Sequence, residues 1–327
     1  MAIAGVPTLG SPDPRWYLVG GVHPAFLAKL GATVLCLWLV ARRVDGALLW
    51  HSLASLSPGF VLAAFPCFLL IGVLGGLRWW LVLRGLGQSA TLGEVTAVFW
   101  AGMALNQFLP SAAGDAARAV LCTRAGVRAE PAIASILLER VFMVLALLVI
   151  LVATQPLLGR YAPGMANMKL ATVLLAAGAG GFALLAVADL CFPFLARFSV
   201  TRWMTGIAAS ARRLAALRRG PGLFAFSLLG NLNFVVAAWL LGCALGLGLP
   251  FGAYLAAMPV AVVVTVIPIS VGGWGLREGV LVALLGRAGV QADEALAFSL
   301  LFGAMSAVAC LPGLIPLWQR SGRTTAG

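Results

Sequence analysis

Two arginines, Arg118 and Arg277, lie near the expected start of a helix, each four residues after a glycine, Gly114 or Gly273. A helix start presents free backbone N–H groups and a partial positive charge. A guanidinium beside these groups can bind a carboxylate or phosphate through two parallel hydrogen bonds. The residue types and their spacing therefore favour an anion-binding role for both arginines.

The acidic neighbours of these arginines keep a second interpretation open. Asp115 precedes Arg118 by three residues, and Glu278 directly follows Arg277. Each acid can neutralise its arginine, and each arginine can also extend its charged end to the lipid headgroups. In either case the arginines stabilise the fold and bind no substrate.

A charged pair, Glu139 and Arg140, lies inside a long apolar segment. An ionisable side chain at such a depth costs about 2.5 to 3.5 kcal/mol on insertion scales, so it is expected to face the protein interior beside a partner. We expect Glu139 to pair with Arg118 or Arg277 or to accept a proton, and Arg140 to meet Asp115. A buried ion pair that only fixes helices together explains the same residues equally well.

Two uncharged residues complete the candidate site. Asn106 is a polar group in an apolar segment, where amides mostly form hydrogen bonds between helices. Trp274 lies in a glycine-rich stretch and is expected to line a cavity, whereas we interpret other tryptophans, such as Trp79, as anchors at the membrane interface. The substrate-binding candidates are Arg118, Arg277, Glu139, Arg140, Glu278, Asp115, Asn106 and Trp274.

The elements that hold these residues must be membrane helices. With 62% hydrophobic residues, 10% charged residues and a mean hydropathy of +1.03, the chain lies outside the range of soluble globular domains. A helix needs roughly 20 apolar residues to cross the bilayer. Six segments meet this requirement, at about 22–41, 58–83, 131–155, 170–195, 221–247 and 294–318. The predicted fold class is an all-α polytopic membrane protein.

Two further apolar segments, about 92–121 and 253–287, are broken near their middle. The break residues are Pro110, Gly114, Pro268, Gly272, Gly273 and Gly275. Each arm of about 12 to 16 residues reaches only ~18 to 24 Å as helix, which is less than the ~30 Å hydrocarbon core. We predict two re-entrant helical hairpins whose tips point into the protein, because non-helical backbone at membrane depth must be buried or line a cavity.

The chain repeats itself at a constant offset of about half its length. The sequence RAGVRAE of Arg124–Glu130 reappears as RAGVQAD in Arg287–Asp293. We predict one transmembrane domain made of a first repeat over about 22–160 and a second over about 165–320. Three full crossings per half would invert the second repeat, an arrangement typical of secondary transporters. The alternative is a duplication that merely built a stable bundle.

The positive charges indicate the orientation. With the N-terminus inside, fifteen lysines and arginines fall on the cytoplasmic side and six on the other, which favours cytoplasmic termini. The stretch 197–219 separates arginines from apolar residues on a helical wheel, which is typical of a helix that lies on the anionic leaflet. We attribute the net charge of +12 to topology and lipid contact, and expect no nucleic-acid partner.

Signatures of enzymes, metals and cofactors are missing from the sequence. The two histidines, His23 and His51, lack metal-ligand spacing, and the six cysteines are scattered singly along apolar segments. The run Gly272–Gly275 is not a dinucleotide fingerprint, since no strand precedes it. We therefore expect no metal, no cofactor and no enzymatic activity.

Together the motifs resemble the lysylphosphatidylglycerol synthase transmembrane family, also called flippase-like membrane proteins. The resemblance covers about residues 30 to 318 and is carried by Leu109-Pro110, Gly114-Asp115, Arg118, Glu139-Arg140, Pro268, Gly272–Gly275 and Arg277-Glu278. It implies a multi-spanning inner-membrane protein that moves or presents lipids across the bilayer. Members that make aminoacyl lipids carry a soluble catalytic domain, and we expect none here. An acidic residue often follows the Glu-Arg pair in the family, whereas here the pair is followed by the apolar Val141-Phe142-Met143.

These observations lead us to predict a flippase or transporter of lipids in the cell (inner) membrane. Arg118 and Arg277 would bind an anionic or zwitterionic headgroup in one central cavity, and rocking of the halves would alternate access. Membrane lipids and enzymes of lipid biosynthesis are the expected partners. Two other classes stay open: a membrane-embedded enzyme or enzyme partner in headgroup modification, and a carrier of a small soluble anion.

Overall fold

The computed structural model describes residues 38, 54–109, 113–161, 173, 176–181, 199–216, 219–266 and 274–315 of the 327-residue chain. All regular elements within these ranges are helical, as the sequence predicts. They are α1 Pro58–Gly85, α2 Leu92–Phe108, α3 Ala113–Arg124, α4 Ala129–Ala153, α5 Gln155–Tyr161, α6 Ser199–Ala216, α7 Arg219–Ala244, α8 Phe251–Val266, α9 Leu276–Arg287 and α10 Ala292–Cys310. A 3-10 turn, Leu311–Leu314, continues α10.

Within these described ranges, four helices are long and apolar enough to cross a membrane. They are α1, α4, the Gly220–Ala244 part of α7, and α10 with its 3-10 turn, and they have 23 to 28 residues. Such helices are about 35 to 42 Å long and exceed the hydrocarbon core of ~30 Å. They coincide with four of the predicted spans, whereas the spans at 22–41 and 170–195 fall mostly outside the described residues. The chain is an integral, multi-pass membrane protein.

Shorter helices occupy the two broken segments. α2 and α3 have 17 and 12 residues, and α8 and α9 have 16 and 12, so each is shorter than the hydrocarbon core. Gly275 directly precedes α9 with a φ of 84°, a left-handed conformation that glycine adopts without strain. The predicted break residues Pro110, Pro268, Gly272 and Gly273 lie outside the described residues.

Gly114, which we expected in the first break, lies instead inside the first turn of α3. A Cβ at this position would overlap the backbone oxygen of Gly102 on α2. On another side of α2, the ring of Phe99 fills the space that Gly75 of α1 leaves open. Gly114 therefore serves the close packing of α3 on α2, and the pair is held tightly against α1.

The helices of the two halves match in position. α3 and α9 begin at Ala113 and Leu276 and end at Arg124 and Arg287, so both of their ends are displaced by the offset of the sequence repeat. The starts of α4 and α10 are displaced by the same offset. The offset between the repeated sequence motifs is therefore also the offset between the ends of equivalent helices.

α1 and α7 carry Pro-Gly pairs in their first turn at the same offset, Pro58-Gly59 and Pro221-Gly222, and they pack side by side in antiparallel orientation. The N–H of Ser57, just before α1, donates to the carbonyl oxygen of Ala244 at the end of α7 over 2.9 Å. Further along, Asn233 Nδ2 donates to the carbonyl oxygen of Cys67 over 2.8 Å. In addition, α2 packs on α10 and α8 packs on α4, so a short helix of each half contacts a long helix of the other.

α6 is amphipathic, but its apolar side faces the protein. Ile207, Ala211 and Leu214 are buried and pack in one cluster with Val82 of α1 and Leu138 of α4. The prediction that this helix lies with its apolar side in the leaflet is therefore corrected, because that side is consumed by packing on the helix bundle.

Candidate functional site

A buried carboxylate, Glu139 of α4, joins two buried arginines. Glu139 is 3% exposed, while Arg78 of α1 and Arg118 of α3 are 7% and 4% exposed. The Arg78 guanidinium donates to Glu139 Oε1. Both Nη atoms of Arg118 donate to Glu139 Oε2 over 3.3 Å. One carboxylate thus connects α1, α3 and α4.

A second carboxylate extends this group. Asp115 Oδ1 accepts a hydrogen bond from Arg118 over 3.3 Å, and its Oδ2 accepts one from Arg140 Nε over 2.6 Å. The pairing of Glu139 with Arg118 and of Arg140 with Asp115 is as the sequence predicts. Charges alternate along the five residues, which we call the charge network: Arg78, Glu139, Arg118, Asp115 and Arg140. Three guanidinium groups against two carboxylates leave one positive charge in excess.

Two aromatic rings and a glycine shape the position of Arg118. Its guanidinium carbon lies 4.3 Å from the ring centroid of Trp79 and 4.6 Å from that of Phe99, distances at which a cation is attracted to a ring face. Gly102 leaves room for the Arg118 side chain, because a Cβ there would overlap it. Trp79 is fully buried and its Nε1 donates to Ser135 Oγ over 2.8 Å. The expectation that Trp79 is an interfacial anchor is therefore corrected.

Asn106 holds the start of α3. Its Oδ1 accepts a hydrogen bond from the N–H of Gly114 over 3.0 Å. This bond satisfies one of the free N–H groups at the helix start, which is the structural role expected of an amide in an apolar helix.

A cavity of about 230 Å³ lies beside the charge network, and we call it the first cavity. Its polar lining consists of Arg78, Arg118, Glu139, Arg140, Asn106 and Asn231. The Nε atoms of Arg78 and Arg118 are buried and have no hydrogen-bond partner among the described residues. Excess positive charge and unpaired donors in a buried place favour an anion as occupant.

Arg277 belongs to a separate group at the start of α9. Its Nε donates to Glu278 Oε1 over 3.1 Å. Its guanidinium carbon lies 5.0 Å from the ring centroid of Trp274 and 5.8 Å from that of Phe302. Glu278 is fully buried, and its Oε2 also accepts a hydrogen bond from the N–H of Gly275. This group carries no net charge and is bounded by aromatic rings.

Arg277 lines a second cavity of about 190 Å³. Its other lining residues are Phe234, Met258, Ala261, Val262, Phe302 and Ser306. Phe234 and Val262 also line the first cavity, so the two cavities adjoin. The sequence predicts that Arg118 and Arg277 share one central cavity, whereas the structure places them in two neighbouring ones.

Arg78 and Phe234 line the cavities but are not among the predicted site residues. Arg78 is one of the fifteen charges that the sequence analysis places on the cytoplasmic side, although a charge inside an apolar segment is itself a signal for an interior partner. Phe234 gives no such signal, because a phenylalanine in an apolar helix is what any membrane helix contains.

Other parts of the described structure are less suited to bind a substrate. A larger cavity, about 450 Å³, lies at the end of α1, where Arg84 stacks on Trp80 at 5.2 Å from its ring centroid. Arg84 is exposed, and this cavity does not reach the charge network. Within the described ranges, no group of three or more His, Cys, Asp or Glu side chains is close enough to hold a metal ion.

Comparison with known proteins agrees with the resemblance drawn from the motifs. The family described as "Lysylphosphatidylglycerol synthase TM region" matches residues 26–313, a range that includes both cavities. A stretch of 122 residues, 37% of the chain, is 32% identical to Glycosyltransferase AglD of Haloferax volcanii. This match spans 20% of the length of that relative.

Proposed function

This chain belongs to the lysylphosphatidylglycerol synthase transmembrane family, and on that basis we propose that it is a flippase or transporter of lipids. The family name refers to a phospholipid with a charged headgroup. The observation that carries the proposal is the first cavity, which is positively charged and lies between membrane helices. A headgroup phosphate would enter this cavity while the acyl chains stay in the bilayer.

Arg118 is the best situated residue to bind the phosphate. Glu139 and Asp115 hold its guanidinium from two sides, so little conformational freedom is lost when an anion binds. Arg78 and Arg140 supply further positive charge at the same wall. In this proposal Arg277 contacts the headgroup from the second cavity, and Asn106 and Trp274 support the two arginine sites.

The proposed mechanism is alternating access between two inverted repeats, over about 22–160 and 165–320, with α2–α3 and α8–α9 as re-entrant hairpins. The antiparallel packing of α1 on α7 supports this arrangement, because equivalent helices of inverted repeats run in opposite directions. The exchanged contacts of α2 with α10 and of α8 with α4 also fit a two-fold relation. Rocking of one half against the other would expose the arginine sites to each leaflet in turn.

The proposed location is the cell (inner) membrane with both termini in the cytoplasm. The excess of positive charge on one side supports this orientation. Arg78 and Arg118 are among the fifteen charges counted as cytoplasmic, but both are buried in the charge network and so do not indicate the orientation. Without these two arginines, positive charges are still more numerous on the cytoplasmic side than on the other side.

A second candidate is a membrane-embedded partner or part of an enzyme that modifies lipid headgroups. The partial match to a glycosyltransferase favours this hypothesis. It requires that a headgroup changes chemically, which transport does not.

Reconstitution in liposomes tests the proposal. Phosphatidylglycerol and phosphatidylethanolamine with a fluorescent acyl chain are placed in both leaflets, and an external quencher reports exchange between leaflets. We expect the wild-type protein to exchange at least one lipid well above the protein-free rate. The Arg118→Ala, Arg277→Ala double variant should lose about tenfold or more of this rate, because each lost hydrogen bond to a charged group contributes about 1.5 to 3 kcal/mol.

The matched control is Arg213→Ala, which removes an exposed arginine of α6 and should leave the rate unchanged. Equal rates for the wild type and the double variant would refute the role of the two arginines. Exchange no faster than in protein-free liposomes, for both lipids, would refute the transport function. Mass spectrometry of the recovered lipids then detects headgroup modification, and uptake of labelled inorganic phosphate detects a carrier of soluble anions.

A further inference from the structure

The two cavities meet at Phe234 of α7 and Val262 of α8, which line both of them. Phe234 is half-buried, and its ring lies edge-on to that of Phe302 with 4.9 Å between centroids. Arg118 lines the first cavity, and Arg277 lines the second. Phe234 and Val262 are thus the residues at which the two arginine-lined cavities adjoin.

The volumes of the cavities show why this wall matters. Sites for small molecules commonly have about 300 to 1,000 Å³. Neither the first cavity, about 230 Å³, nor the second, about 190 Å³, reaches that range, but together they do. A headgroup that extends well beyond its phosphate therefore fits only if the wall between the cavities opens.

The two wall residues differ in their freedom to move. Val262 is β-branched and lies inside a helix, so its χ1 angle is strongly restricted. Phe234 is unbranched at Cβ, and its edge-on contact with one ring is a weak interaction. Gly230, one turn earlier on α7, also lines the first cavity, and a Cβ there would have only the Arg78 guanidinium within 4 Å. Phe234 borders the main hydrophobic cluster, but of the two wall residues it has the greater choice of χ1 rotamers.

We propose that Phe234 is a specificity-determining residue that sets the size of the accepted headgroup. With the ring in the observed position, the first cavity accepts a phosphate with a small substituent. A larger headgroup displaces the ring, and its far polar groups then contact Arg277. This proposal rests on the proposed lipid transport and adds a size limit to it.

The test measures binding separately from transport. Calorimetry on the purified full chain in detergent uses water-soluble dihexanoyl lipids in a series of increasing headgroup size: phosphatidic acid, phosphatidylglycerol and phosphatidylinositol. We expect the wild type to bind phosphatidylinositol most weakly. Phe234→Ala should raise the affinity for phosphatidylinositol relative to phosphatidic acid by about tenfold, since removal of a bulky side chain from a pocket wall commonly changes discrimination by 10-fold or more.

Phe234→Leu should shift the ratio in the same direction by a smaller factor, and Val262→Ala should act likewise from the other side of the wall. The control is Phe224→Ala, which removes a half-buried ring of the same helix that packs in the cluster around Val82 and Leu214. Its affinity ratio should equal that of the wild type.

The outcomes separate this proposal from the proposed function. An unchanged affinity ratio in Phe234→Ala and Phe234→Leu overturns the size limit, whatever the transport assay gives. A wild type that binds the series but moves no lipid refutes transport, while the ratio still decides the role of Phe234. If none of the three lipids binds, the headgroup site itself is refuted, and the size limit with it.

Discussion

α3 and α9 occupy equivalent positions in the two halves, and each has an acid as its third helical residue, Asp115 or Glu278. Around Asp115 the structure gathers the whole charge network, with one positive charge in excess. Around Glu278 it places one arginine, a hydroxyl and aromatic rings. The position that corresponds to Glu139 in the second half is Phe302.

The difference shows which features the two halves share and which they do not. The helix bounds and the acid in the first turn occur in both halves. Each acid pairs with an arginine of its own helix, Arg118 or Arg277, but the partner from the following helix differs: Arg140 for Asp115 and Ser299 for Glu278. In the first half these partners create a cavity with excess charge, whereas in the second half they create a neutral group with aromatic walls. In the proposed lipid transport, the first half would bind the headgroup charge, and the boundary between the halves would set the headgroup size.

The largest expected difference between the halves follows from removing the charge of the buried acid that pairs with the arginines, Glu139 in the first half and Glu278 in the second. Glu139→Gln leaves two buried arginines without their shared carboxylate, and we expect it to cost about 3 to 5 kcal/mol of unfolding free energy. Glu278→Gln affects one arginine and should cost about 1.5 to 3 kcal/mol. Equilibrium unfolding in mixed micelles, followed by circular dichroism, measures both. Equal losses would show that the two halves are electrostatically alike.

The close contact between α2 and α3 gives the next largest effect. Gly114→Ala should cost about 3 kcal/mol, at the upper end for overpacking, because the obstacle is the backbone oxygen of Gly102 and cannot rotate away. The control in the second half is Gly286→Ala on α9, where a Cβ meets nothing within 4 Å. That change should be neutral or gain up to about 1 kcal/mol from helix propensity. A neutral Gly114→Ala would contradict the close contact between α2 and α3.

Buried serines provide a smaller contrast. Ser135 accepts the hydrogen bond of the fully buried Trp79 indole over 2.8 Å, so Ser135→Ala leaves a buried donor unpaired and should cost about 2 kcal/mol. Ser299 donates to Glu278 over 3.4 Å, a long bond beside two other donors to the same carboxylate. Ser299→Ala should therefore cost less than about 1 kcal/mol. The same unfolding assay ranks the two, and a reversed order would contradict the contrast.

The sequence predicts those parts of the site that follow from the cost of charge in lipid. An acid or arginine in an apolar segment needs a partner, and this rule leads to the Glu139–Arg118 and Arg140–Asp115 pairs. The rule does not predict how many arginines pair with one acid. Arg78 lies 61 residues from Glu139 in the sequence, and the sequence around Glu139 does not predict this second partner.

Local spacing also misleads where packing decides. Arg118 and Arg277 look equivalent because each follows a glycine by four residues, yet the helix bounds make Leu281 the counterpart of Arg118 and Gly114 the counterpart of Arg277. In the same way, the wheel of α6 shows two faces without showing that its apolar face packs on α1 and α4. Which neighbour a face meets depends on contacts distant in sequence.

The smallest expected effect concerns how the short helices α2 and α8 begin. Thr91 and Glu94 form a reciprocal cap at the start of α2: the N–H of Glu94 donates to Thr91 Oγ1 over 3.3 Å, and the N–H of Thr91 donates to Glu94 Oε2 over 3.1 Å. α8, its counterpart, begins after Pro250, whose ring fixes the backbone without any side-chain hydrogen bond.

Thr91→Ala should cost about 1 kcal/mol, as for other cap deletions, and Thr91→Ser should restore most of it. Hydrogen exchange localises the effect, because the amides of the first turn of α2 should exchange about fivefold faster in Thr91→Ala, the factor that corresponds to ~1 kcal/mol. Pro250→Ala should change the amides at the start of α8 by much less, because no side-chain acceptor is lost there. If both changes speed exchange equally, α2 and α8 begin by equivalent means, and the contrast between the halves is confined to the charge network.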